Sequence, residues 1–203
     1  RAVGHRDLHH YDGVHAVTPA FDSPHPNTAV VPNFVDRERF RPDRAARDET
    51  FTVLVTAAHI DEKGWDIATN VAGSLPDDVR VLTTGTTDSP HVEGLGHLSE
   101  DALADRYARA HVVLHPARVD TDSMVINEAL ASGTPVVTSP LVTHVREHDA
   151  VLHGGTVFEM VSLVEGLAEE YRTRPADYED RCRLARDSSV DRGIPQVYPR
   201  LEA

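Results

Sequence analysis

Between residues 51 and 153, short apolar, β-branched runs alternate with stretches whose apolar residues recur at helical spacing, and this alternation constrains the fold more than any other feature. FTVLVTA (51–57) reads as a strand, and Ala68, Val71, Ala72 and Leu75 then recur at helical spacing. VRVLTT (79–84) is a second strand and HVEGLG (91–96) a short third. Ser99 can cap a helix with Leu103, Ala104, Tyr107 and Ala108 on one face. HVVLHP (111–116), MVINEALAS (124–132) and TPVVTS (134–139) read as strand, helix and strand, and AVLH (150–153) as a last short strand. Val157, Met160, Val161, Val164, Ala168 and Tyr171 then mark a long amphipathic helix. The predicted fold class is α/β, a Rossmann-like parallel sheet with helices on both faces. Ligands of such sheets bind where strands end and helices begin.

Residues 1–50 break this rhythm. GVHAVT (13–18) reads as one strand, while TAVVPNFVDRERFRPDRAARDE (28–49) carries two prolines and a dense charge run and reads as a linker. The expected organisation is therefore residues 1–27 as the tail end of a preceding domain, 28–49 as a linker and 50–203 as one full domain. In VVPNFVDRERF (30–40), the Pro-Asn turn with Phe34, Val35 and Phe40 suits a hinge pinned to the domain edge. The chain opens at Arg1, so a natural N-terminal part is expected to precede it.

A net charge of −13, with 20 Asp and 13 Glu, repels nucleic-acid backbones, so no nucleic-acid partner is expected. Lys63 is the only lysine among 20 basic residues. The balance suits a salt-adapted cytoplasmic protein; GC-rich codon usage with ordinary acidity remains the alternative. Cys182 stands alone, which excludes an internal disulfide, fits a reducing compartment and reads as structural. No run approaches the roughly 18 apolar residues of a membrane helix, and no secretory signal opens the chain.

Two stretches hold the candidate chemistry. After FTVLVTA, the loop HIDEKG carries Lys63 and Gly64: an ammonium can sit on a phosphate, and a glycine lets backbone approach closely. In ARVDTDSMVINEALASGTPVV (117–137), Asp120 and Asp122 lie in a loop, and Ser123 can cap the helix that begins at Met124. Such a helix N-terminus suits a diphosphate. Glu128, about one and a half turns inside, can accept two hydrogen bonds from a vicinal diol such as a ribose. Taken singly, Lys63 also reads as an exposed turn residue, and Asp120 and Glu128 as surface carboxylates. His144 and His148 stand at i, i+4, but no third ligand accompanies them and no metal is expected.

In this order, VVPNFVDRERFRP, HIDEKG and DALADRYARAHVVLHPARVDTDSMVINEALASGTPVV resemble the linker, "EKG" loop and donor segment of the C-terminal half of the GT-B glycosyltransferases, group 1 or family 4-like. The resemblance covers residues 28 to about 155, and GVHAVT resembles the last strand of that family's N-terminal domain. It implies a retaining, hexosyltransferase-like enzyme. Lys63 would neutralise the donor diphosphate, and Gly64, Asp122, Ser123 and Met124 would line the phosphate site. Asp120 would contact the donor sugar, and Glu128 would hold the ribose; Asp120 and Glu128 form the catalytic pair. No cofactor is implied beyond a UDP- or GDP-linked sugar as substrate. The acceptor would be a sugar, a lipid or a protein-linked glycan, with peripheral membrane association through the preceding domain. This chain alone would then be inactive. It departs from the family pattern in three ways: Ala58 or His59 stands where an arginine is usual, Asp120 replaces a glutamate, and Asp122-Ser123 replace Phe-Gly. Arg118 is a candidate to restore the missing charge. A sugar-nucleotide epimerase, a non-catalytic nucleotide-sugar-binding remnant or interaction module, and a flavodoxin-like domain are the other readings.

Overall fold

The computed structural model describes residues 10–18, 23–142 and 147–201. Two short strands, β1 (Val14–Ala16) and β2 (Thr28–Val30), pair in parallel, so residues 28–30 of the expected linker belong to a small sheet. The main sheet is built from β3 (Phe51–Val55), β4 (Val79–Thr83), β5 (Glu93–Gly94), β6 (Val112–His115), β7 (Val136–Thr138) and β8 (Val151–His153). All its pairings are parallel, in the order β5-β4-β3-β6-β7-β8. The third predicted strand shrinks to Glu93–Gly94 at the sheet edge.

Side chains alternate along each strand, and both faces are covered. Val53, Val55, Val81, Val112, Leu114 and Val137 pack with α1 (Trp65–Ala72) and α4 (Val157–Thr173). Leu54, Leu82, Val113 and Val136 pack on the other face with α2 (Glu100–Arg109), α3 (Met124–Ala131) and α5 (Pro175–Ser188). The helix ends follow local chemistry. Ser99 Oγ accepts the Ala102 N–H at the start of α2, and a reciprocal Thr156–Glu159 capping box opens α4. Pro175 occupies the first turn of α5, where its missing N–H costs nothing.

Beyond α5, Gly193 bridges to Val35 ahead of α6 (Ile194–Leu201), so the C-terminal segment returns to the hinge. That hinge is fixed to the domain. Val31, Val35 and Phe40 are buried, whereas Phe34, expected to help pin it, is exposed. Its charge run is put to internal use. Arg44 pairs with Asp101 and Asp105 on α2. The partly buried Arg47 guanidinium donates to the carbonyls of Ala110 and Gly133 and to Cys182 Sγ, with its carbon 5.4 Å from the Tyr178 ring centroid. Cys182 is a buried free thiol.

The chain starts the main sheet at β3, builds outward through β4 and β5, then crosses back to β6 on the other side. The helices after the neighbouring strands β3 and β6 pack on opposite faces, which opens a crevice at the carboxyl ends of these two strands. The Lys63 loop and the Asp120–Ser123 loop leave the sheet there.

Candidate donor site

The two loops are held against each other. The backbone N–H groups of Arg118 and Val119 both donate to Glu62 O, at 2.9 and 3.2 Å. Arg118 adds a bidentate pair to Asp66, 2.7 Å at each oxygen, and a bond to Asp61 O. Arg118, the candidate for the missing family charge, thus joins the two loops through Asp66 and Asp61. Gly64 has φ +72°, and a Cβ there would lie 2.1 Å from Pro116 O. The close approach this glycine permits is to the neighbouring loop's backbone, in a conformation that disfavours other residues.

Lys63 Nζ lies 3.2 Å from Asp120 Oδ2 and 3.3 Å from Val119 O. Asp120 Oδ2 also meets His115 Nε2 at 2.8 Å, and Oδ1 accepts the Thr121 N–H at 2.9 Å. Burial acts to raise the Asp120 carboxyl's pKa, but the hydrogen bonds from His115 and Lys63 and the positive charge beside it together outweigh burial and hold the group well below the usual carboxylate range. Ser123 Oγ accepts the Ile126 N–H, so Ser123 is the N-cap of α3 as the sequence indicated, and Met124, its first residue, is exposed.

Asp122, expected among the phosphate-site residues, is engaged by protein groups from two distant segments. Both its oxygens are 2.8 Å from Arg192 Nη1, Oδ2 accepts the Asn33 N–H at 2.6 Å, and the side chain is 1% exposed. Asn33 Nδ2 in turn donates to Asp122 O. Asp122 therefore ties the hinge and the C-terminal segment to the start of α3.

Glu128, on the second turn of α3, is partly buried, and burial pushes its carboxyl up to about 7 against the opposing hydrogen bond of the Tyr107 hydroxyl. Tyr107 OH lies 2.7 Å from Thr56 Oγ1. Thr56 lines an open cleft of about 410 Å³ beyond β3 and β4, together with Ala57, Ala58, His59, Thr84 and Gly85. His59, beside the missing family arginine, stacks on Trp65 at 3.6 Å between centroids and places Nε2 2.8 Å from Thr83 Oγ1. Among the described residues, no group of three or more His, Cys, Asp and Glu is placed to hold a metal ion. His144 lies outside the described residues.

Sequence reasoning missed His115, Tyr107, Asn33 and Arg192. His115 carried one usable signal, its position at the end of a strand directly before the loop bearing Asp120. Arg192 carried none, since it lies 70 residues from Asp122.

Fold and site together define a doubly wound α/β domain of the GT-B glycosyltransferase type, its crevice bordered by the loop that carries Lys63 and by a helix N-terminus. Residues 45–173 match the family model "Glycosyl transferases group 1", and the chain belongs to that family. The processive diacylglycerol α-glucosyltransferase of Acholeplasma laidlawii is 28% identical over 111 residues, 51% of this chain and 32% of that protein. The Anabaena protein HepE, solved with UDP and glucose, superposes with a TM-score of 0.77 at 15% identity, over 94% of this chain and 62% of its own. Sucrose-phosphate synthase from Thermosynechococcus elongatus gives 0.79 at 16% identity, over 98% and 58%. The chain thus spans about a third of its curated relative and about three fifths of these solved structures.

Proposed function

We propose that this chain is the donor-binding half of a retaining glycosyltransferase that transfers a hexose from a nucleoside diphosphate, UDP- or GDP-linked, to an acceptor held largely by a preceding domain. The observation that carries this reading is the meeting of Lys63, Asp120 and the capped start of α3 at the crevice between β3 and β6. Glu128 is linked to the adjoining cleft through Tyr107 and Thr56. In this reading Lys63 and the α3 N-terminus take the diphosphate and stabilise the charge that develops on it as the sugar leaves. Glu128 takes the ribose diol, and Asp120 the sugar. Solved neighbours hold UDP or UDP-glucose and the curated relative is a glucosyltransferase, so UDP-glucose is the first donor to try.

Calorimetry with UDP, GDP, ADP and their sugars tests the reading. Lys63→Ala and Glu128→Ala should each weaken donor binding by about 10- to 150-fold, the worth of a charge-assisted hydrogen bond. Unchanged affinity in both variants would sink the site assignment. In a cytoplasmic setting the acceptor would be a sugar, a lipid or a protein-linked glycan. The 203-residue chain incubated with donor and acceptors should transfer no sugar, because one wall of a two-domain cleft does not position the acceptor.

A further inference from the structure

We infer that His115 is the positioning residue for Asp120: its buried imidazole keeps the carboxylate at the sugar end of the crevice when Lys63 leaves it for the donor diphosphate. The assignment rests on the donor-site reading above.

Asp120 Oδ2 has two donors of opposite character. Lys63 is flexible and about a third exposed, and it reaches Asp120 and Val119 O only at 3.2 and 3.3 Å. His115 is 1% exposed and approaches to 2.8 Å. The residue is tied to the sheet and to the start of α3. Its own carbonyl accepts Thr138 Oγ1 from β7 at 2.8 Å, and Ser123 Oγ lies 3.2 Å from the same Nε2.

The other ring nitrogen, Nδ1, is buried without a hydrogen-bond partner among the described residues. A proton there would be an unpaired buried donor and would set two acceptors, Nε2 and Oδ2, face to face. The proton therefore belongs on Nε2, pointing at Asp120.

A carboxylate offers about four acceptor directions. His115, Lys63 and Thr121 occupy three of those on Asp120. When an incoming diphosphate draws the ammonium away, a second direction opens for sugar hydroxyls. Without His115, the buried carboxylate would either follow Lys63 or be left with the Thr121 N–H alone.

The experiment compares wild type, His115→Leu and His115→Gln by calorimetry against UDP and UDP-glucose, with a carbon-13 NMR titration of the Asp120 carboxyl in each. His115→Leu should lose about tenfold in UDP-glucose affinity and leave UDP nearly unchanged, since only the sugar reaches Asp120. His115→Gln, which keeps a donor at similar reach, should restore most of the loss. The Asp120 carboxyl should titrate at higher pH in His115→Leu than in wild type. Equal weakening toward both ligands, or a glutamine variant as poor as the leucine one, overturns the positioning role. Wild type binding neither ligand refutes the donor reading. The titration still judges the pair in that event, and an Asp120 carboxyl that titrates identically in wild type and His115→Leu refutes it.

Discussion

Raising the pH from 6 to 8 should tighten sugar-nucleotide binding while loosening the fold, and Glu128 is the reason for both. Its carboxyl is moved from an ordinary 4.5 to about 7, first by burial, with the Tyr107 hydrogen bond opposing. A folded value above the unfolded one means that the protonated acid is favoured in the native state. The associated stability is fully present below about 4.5 and is lost as pH rises through about 7. At roughly 1.4 kcal/mol per pH unit, the shift amounts to about 3 kcal/mol. A ribose diol, by contrast, donates best to the ionised carboxylate, whose fraction rises roughly tenfold between pH 6 and 8 for such a group. Affinity should rise by about the same factor, or about 1.4 kcal/mol. The assay is calorimetry with UDP-glucose, whose doubly esterified diphosphate does not itself titrate in this range. Glu128→Gln should bind more weakly at pH 8, show a flat pH profile, and melt several degrees above wild type at pH 8 but not at pH 4.5. A flat wild-type profile, or the same rise in the glutamine variant, would refute the reasoning.

Three further outcomes follow from groups away from the cleft. Arg192→Met removes the cation that faces both oxygens of the buried Asp122 carboxylate, so stability should fall by about 3–5 kcal/mol. Denaturant melts read this, and adding Asp122→Asn should recover part of the loss. His111 is held down to about 4, first by burial and then by Arg47, while its Nδ1 accepts the Thr52 N–H at 3.0 Å and has no room for a proton. The His111 contribution to stability should therefore fall by about 3 kcal/mol as pH drops from 6.5 toward 4, opposite in sign to that of Glu128 over the same range. It is read in urea titrations as the pH-dependent difference between wild type and His111→Asn. With a net charge of −13, screening of self-repulsion should raise the melting temperature clearly between low and molar salt; a flat response favours codon usage as the source of the acidity.

The strands from β3 to β8, the helices α1 to α4 and the Ser123 cap were legible because each is written in neighbouring residues. A strand buried on both faces needs an apolar run, a packed helix needs a 3.6-residue stripe, and a cap needs one hydroxyl before the first turn. The same local logic brought Lys63, Asp120 and Glu128 forward, because strand-to-loop and loop-to-helix junctions can be found by pattern. Tertiary structure decided what those side chains touch. Arg118 turns to Asp66 and Asp122 to Asn33 and Arg192, and Lys63 rests on an Asp120 already held by His115. Residues 28–30 became a strand because β1 lay beside them. Arg47 became partly buried because three carbonyl or sulfur acceptors converge on it from distant segments. A charged group buried without partners is costly, so its place is set by whichever opposite charges or carbonyls the finished fold brings within reach. That distance in space is not encoded in spacing along the chain.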